Sequence, residues 1–115
     1  MGIEKTDSLL RLRLMKKEKL KGLLIIERDK LASKTFEELS KMEFPITYQV
    51  GSIKNKDFYQ FEIDIAEKTN EYIDIIISID DGSLWRSLCP ITTGFIVYKN
   101  GKVVKYKGRN DDLEM

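Results

Sequence analysis

The chain is 115 residues long, 42% hydrophobic and 34% charged, with 20 Lys/Arg against 19 Asp/Glu, one Cys and no His. That balance predicts one globular domain with an ordinary core and argues against disordered, collagenous or coiled-coil classes. The missing imidazole excludes Ser-His-Asp and Cys-His nucleophile systems, and a lone Cys excludes a disulfide framework and Cys-rich zinc sites.

The first residues, Met1–Asp7, mix charges and lead into no apolar stretch of secretory-signal length. Gly2 and Thr6 match the brief myristoylation pattern, which carries little weight alone. The apolar run Leu23-Leu24-Ile25-Ile26 ends at Glu27, far short of the roughly 18 residues of a transmembrane helix. With one unpaired Cys suited to a reducing compartment, the expectation is a cytoplasmic protein with no membrane partner.

Along the chain, Leu9–Leu14 is ambiguous: Leu10, Leu12 and Leu14 alternate with Arg11 and Arg13, which favours an edge strand, with helix as the alternative. From Lys17 to Met42 the spacing is helical. Leu20, Leu24, Leu31, Leu39 and Met42 fall within about a third of the helical wheel. Thr35-Phe36-Glu37-Glu38 matches a capping box, so the helix should break near Ser33–Thr35. Pro45 then disfavours the α region at Phe44 and ends helical structure.

Everything after Pro45 reads as antiparallel sheet. Ile46, Tyr48 and Val50 alternate with Thr47 and Gln49, and Gly51–Asp57 is turn-like. Tyr59, Phe61, Ile63 and Ile65 alternate with Gln60, Glu62 and Asp64, and Ile73, Ile75, Ile77 and Ile79 repeat the pattern. Asp80-Asp81-Gly82-Ser83 signals a turn, and Ile91–Tyr98 is a strand opened by Pro90. Asn100-Gly101 suggests a two-residue type I′ hairpin, which would set Tyr98 against Val103, Val97 against Val104 and Phe95 against Tyr106. The termini, 1–7 and 109–115, are polar and expected to fray.

These elements predict an α+β fold: an N-terminal helical segment on one face of a four- to six-stranded antiparallel sheet. The expected core is Ile63, Ile65, Ile75, Ile77, Phe95 and Val97 beneath Leu24, Leu31 and Leu39. The order of a helix followed by a meander of strands resembles the cystatin-like and NTF2-like architectures. Neither family's motifs are present, so the likeness implies architecture and no residue roles.

Charge is unevenly placed. Residues 1–34 hold 10 Lys/Arg against 5 Asp/Glu, residues 35–82 hold 4 against 11, and residues 83–115 hold 6 against 3. Matching the apolar faces of the central hairpin with Lys68-Thr69-Asn70 as its loop sets Ile65 opposite Ile73. Asp64 then faces Asp74 on the outer side, with Glu62 two residues along. Facing carboxylates are destabilising, so such a pair is either a solvated acidic face screened by water or suits a basic partner, a divalent cation or acid–base chemistry. No Gly-rich loop accompanies them, which makes catalysis the weakest of these readings.

Leu84-Trp85-Arg86-Ser87-Leu88 is either a plug over the core or a contact loop, since Trp85 and Arg86 are residue types enriched at interface hot spots. Cys89, without a His to activate it, reads as a buried structural thiol. The basic run Arg11, Arg13, Lys16, Lys17, Lys19, Lys21 could neutralise phosphates, but a pI near 7.7 is below the footprint of a dedicated nucleic-acid binder.

The expected function is therefore a small non-enzymatic interaction module, of inhibitor or immunity type, with no cofactor. Glu62, Asp64, Asp74, Trp85 and Arg86 would meet a basic protein surface, or a second copy of the chain. The alternative is a small-ligand or enzymatic domain with a pocket between helix and sheet, with Asp64, Asp74 and Tyr72 at its mouth.

Overall fold

The computed structural model describes the backbone of residues 2–51, 58–82 and 91–108, and their side chains from residue 16 onward. One long helix, α1 (Gly2–Ala32), opens the chain, and a short one, α2 (Phe36–Lys41), follows. The Leu9–Leu14 segment, expected as an edge strand, is part of α1. Its period of two is overruled by composition. From Asp7 to Lys21 there is no β-branched residue, Gly or Pro, and Leu, Arg, Met and Lys are strong helix formers.

The break between the helices falls where the capping box predicts it. The amide of Glu38 donates to Thr35 Oγ1 and the amide of Thr35 donates to Glu38 Oε1, both at 3.1 Å. Those bonds satisfy two donors that the start of a helix leaves without partners.

The rest of the described chain is one five-stranded antiparallel meander. Its strands are β1 (Ile46–Val50), β2 (Tyr59–Lys68), β3 (Tyr72–Asp80), β4 (Ile91–Tyr98) and β5 (Val103–Lys107), lying side by side in chain order. This is the α+β architecture the sequence predicts. Leu20, Leu24 and Leu31 of α1 and Leu39 of α2 are buried against Ile63, Ile73, Ile75, Ile77, Ile79, Ile91, Phe95 and Val97. Each such side chain taken out of water contributes roughly 1.5–3 kcal/mol, and this single layer of apolar contacts holds helix to sheet.

Of the expected core, Ile65 is the exception, being only half-buried. It lies beyond the last β1 pair, Ile46 with Ile63, and just before a β-bulge between Ile65 and Glu67. The extra residue at the bulge changes the hairpin. Ile65 pairs with Ile75, Asp64 with Ile76, and Glu67 with Asp74, in place of the expected Ile65–Ile73 and Asp64–Asp74 pairs. The loop is Thr69–Glu71, closed by the Thr69 amide to Tyr72 O at 2.9 Å, while Thr69 Oγ1 accepts from the amides of Glu71 and Tyr72.

The last hairpin is also displaced by one residue. Val97 pairs with Val103, Ile96 with Val104 and Gly94 with Tyr106. Its loop is three residues, Lys99–Gly101. The Gly101 amide donates to Tyr98 O, the Tyr98 amide donates to Lys102 O, and Gly101 has φ of 96°. This turn ends in one left-handed residue, where a type I′ turn needs two, and glycine occupies that place without strain. A one-residue slip exchanges the two faces of a strand. Lys105 and Lys107 therefore share the helix side with Phe95 and Thr93, and Tyr106 goes to the other face.

Candidate functional site

Both helices lie on one face of the sheet, so the opposite face is built from strand residues only. Alternation places on it Thr47 and Gln49 of β1, then Gln60, Glu62, Asp64 and, past the bulge, Glu67 of β2. β3 contributes Tyr72, Asp74, Ile76, Ser78 and Asp80, β4 contributes Thr92, Gly94, Ile96 and Tyr98, and β5 contributes Val104 and Tyr106. Two zones result. Five carboxylates, with no Lys or Arg among these strand positions, occupy the β2–β3 side. Tyr72, Ile76, Ile96, Tyr98, Val104 and Tyr106 form a patch toward β5.

The zones meet at Asp74. Tyr106 lies across Gly94, where an added methyl group would collide with its ring, and its hydroxyl donates to Asp74 Oδ1. Burial, and then the hydrogen bond to Asp74, push the Tyr106 hydroxyl well above its ordinary value near 10. Asp74 also faces Glu67 across the bulged hairpin, so the bond from Tyr106 offsets a like-charge contact. Tyr72 and Tyr98 sit opposite one another with ring centroids 5.6 Å apart, and Lys102 Nζ lies 5.8 Å from the Tyr98 centroid. Asp64 turns along its own strand, its Oδ1 accepting from the Ile65 amide at 2.8 Å. Asp80 Oδ1 accepts from the Gly82 amide at 2.8 Å, and Gly82 has φ of 80°.

The helix side carries the opposite charge. Lys16 bridges to Asp81 at 2.8 Å, Lys19 Nζ lies 5.3 Å from the Tyr59 centroid, and Lys105 bridges to Asp29 of α1 at 2.8 Å. Arg28 donates to Thr93 Oγ1 at 3.2 Å, and that buried hydroxyl donates to Tyr106 O at 2.9 Å. A polar relay thus joins α1 to β4 and β5. The Lys105 and Arg28 contacts hold the Asp29 carboxyl below the usual carboxylate range. Tyr48 stacks on Phe61, and burial followed by a hydrogen bond to Glu27 raises its hydroxyl above the ordinary value.

The structure thus gathers Glu62, Asp64 and Asp74 on one face, with Asp64 and Asp74 diagonal to one another and not paired. Trp85, Arg86 and Cys89 lie outside the described residues, as do 52–57, Ser83 and 109–115. Asp64, Asp74 and Tyr72 cannot sit at the mouth of a helix–sheet pocket, because they project from the far side of the sheet. The sequence reading did not include Glu67 or the Tyr106 contact in the site. Gly94 in the middle of a strand was the available signal, since such a glycine marks close approach by another group.

Among the described residues, no group of three or more His, Cys, Asp or Glu is placed to hold a metal ion, and no helix is long and apolar enough to cross a membrane. No protein-family model, curated protein or solved structure matches the chain.

Proposed function

We propose that this protein is a non-enzymatic interaction module, of inhibitor or immunity type, whose open sheet face binds a protein with a basic surface in the cytoplasm. The observation that carries the reading is the division of charge about the sheet. The outer face has Glu62, Asp64, Glu67, Asp74 and Asp80 with no cationic strand residue, beside a patch rich in tyrosine and aliphatic side chains. Protein interfaces combine an aromatic centre with a polar rim, and complementary charge speeds encounter and selects the partner. The rigidity of a hydrogen-bonded sheet presents these groups with little ordering left to do on binding.

The test is comparative capture followed by kinetics. The natural protein and a Glu62→Lys/Asp64→Lys variant are immobilised, and bound proteins are identified at low and high salt. A partner retained by the natural protein, lost by the variant and released by salt is the expected result, with association slowed roughly tenfold or more by the charge reversal. Equal capture by both proteins, or capture indifferent to salt, overturns the reading.

A further inference from the structure

The sheet has two edges, and their sequences treat the edge differently. β5 carries Lys105 and Lys107 in a short strand, and charged side chains, lysine above all, are how natural sheets block pairing at an edge. β1, Ile46–Val50, has no charged residue, and none occurs from Phe44 to Ile53. Its Ile46, Thr47, Tyr48 and Val50 are all of strand-favouring types. Thr47, Gln49 and Val50 are exposed, Val50 at 46%.

The pairing pattern tells which backbone groups this edge presents. Successive residues of a strand direct their N–H and C=O groups to opposite neighbours. The Thr69 amide donates to Tyr72 O, so Tyr72 and every second residue after it on β3 bond toward β2. Ile76 and Ser78 are among them, and they pair with Asp64 and Glu62. Phe61 and Ile63 are then left to bond β1 through Tyr48 and Ile46. Thr47 and Gln49 therefore turn both backbone groups away from the sheet. Such a row of outward N–H and C=O groups is a template for another extended strand.

We propose that β1 is a self-association edge, and that two copies of the chain pair antiparallel through it about a two-fold axis at Tyr48, making one continuous sheet. Thr47 of each copy then faces Gln49 of the other, and the two equivalent pairs exchange backbone hydrogen bonds. Tyr48 faces its own copy in the closer, non-hydrogen-bonded arrangement, and Ile46 faces Val50, so every pair on the helix side is apolar or aromatic. The strand's ends select this register. A two-fold at Thr47 would set Gln49 against Pro45, which has no N–H, and one at Gln49 would set Thr47 against Gly51, whose φ of 84° departs from the extended chain. Tyr48 stacks on Phe61 with centroids 5.0 Å apart, so its ring is in place before pairing. The helices pack over β3 and β4, which leaves the β1 edge clear of them. The contact is isologous and small, which predicts a concentration-dependent dimer. It leaves the open sheet face uncovered. Glu62 and Asp64 of the two copies come to lie three strand spacings apart, roughly 14 Å, so salt should tighten the dimer by screening them. That is the reverse of its effect on a basic partner.

Sedimentation velocity and amide hydrogen exchange on the full chain test the proposal. At roughly 0.1 mM the natural protein should sediment at twice the 13.4 kDa chain mass, dissociating on dilution. The Thr47 and Gln49 amides should gain protection as concentration rises. The Lys105 amide should not, although it too points outward, since Gly108 and every second residue before it on β5 bond to β4. Gln49→Pro removes an N–H that the monomer does not use, so it should keep the circular dichroism spectrum and weaken the dimer about tenfold or more. Val50→Lys should weaken it likewise by placing a charge at the edge, and it decides the matter if the proline disturbs the fold. A monomer at every concentration up to about 1 mM, a dimer that Val50→Lys leaves as tight, protection at Lys105 in place of Thr47 and Gln49, or a dimer loosened by salt overturns the proposal.

Discussion

The hydroxyl of Tyr106 on β5 donates to the carboxylate of Asp74 on β3, passing over Gly94 of the strand between them. The contact spans three strands, and it needs both the missing side chain at Gly94 and a tyrosine two strands from an acid. Tyr106→Phe should cost about 1–2 kcal/mol in denaturant unfolding, because Asp74 loses a donor beside Glu67. Gly94→Ala should cost more, since the ring must leave the sheet surface. The two losses should fall short of additive in the double variant, since each removes the same contact.

Alkaline stability follows from Tyr106 and Tyr48, whose hydroxyls are both raised above the ordinary tyrosine value. The unfolded chain then releases these protons at lower pH than the folded one. Their contribution is complete below about pH 10 and is lost as pH rises through the raised folded values. Unfolding free energy measured from pH 9 upward should fall steeply past about pH 10, and Tyr106→Phe should make the fall shallower. An identical slope in the variant would contradict this assignment.

Relief of repulsion should appear at Glu67. Because Glu67 and not Asp64 faces Asp74, Glu67→Gln should stabilise the protein by a few tenths of a kcal/mol up to about 1 kcal/mol, and its stability should depend less on salt. Asp64→Asn should lack that gain, because Asp64 faces Ile76 and accepts from the Ile65 amide.

The bulge also separates two isoleucines that look alike in the sequence. Ile75 is fully buried, so Ile75→Ala should cost roughly 2–5 kcal/mol, whereas half-buried Ile65 should lose less than about 1.5 kcal/mol on the same change. Equal losses in chemical denaturation would place Ile65 back in the core.

Local interactions made much of this fold legible from the chain alone. The capping box at Thr35 and Glu38, the leucine spacing of the helices and the alternation of β1, β2 and β3 depend on residues a few positions apart, so each is written in a short stretch. The division of charge was equally readable, because alternation assigns Glu62 and Asp64 to one face whatever their partners. Tertiary structure decided the registers. Placing one extra residue at Ala66, and one left-handed residue at Gly101 in place of two, is a small local difference with a long-range consequence. It chooses which side chains meet across strands, and that choice is settled by packing: Glu67 opposite Asp74, and the Tyr106 ring fitted over Gly94 with its hydroxyl on Asp74.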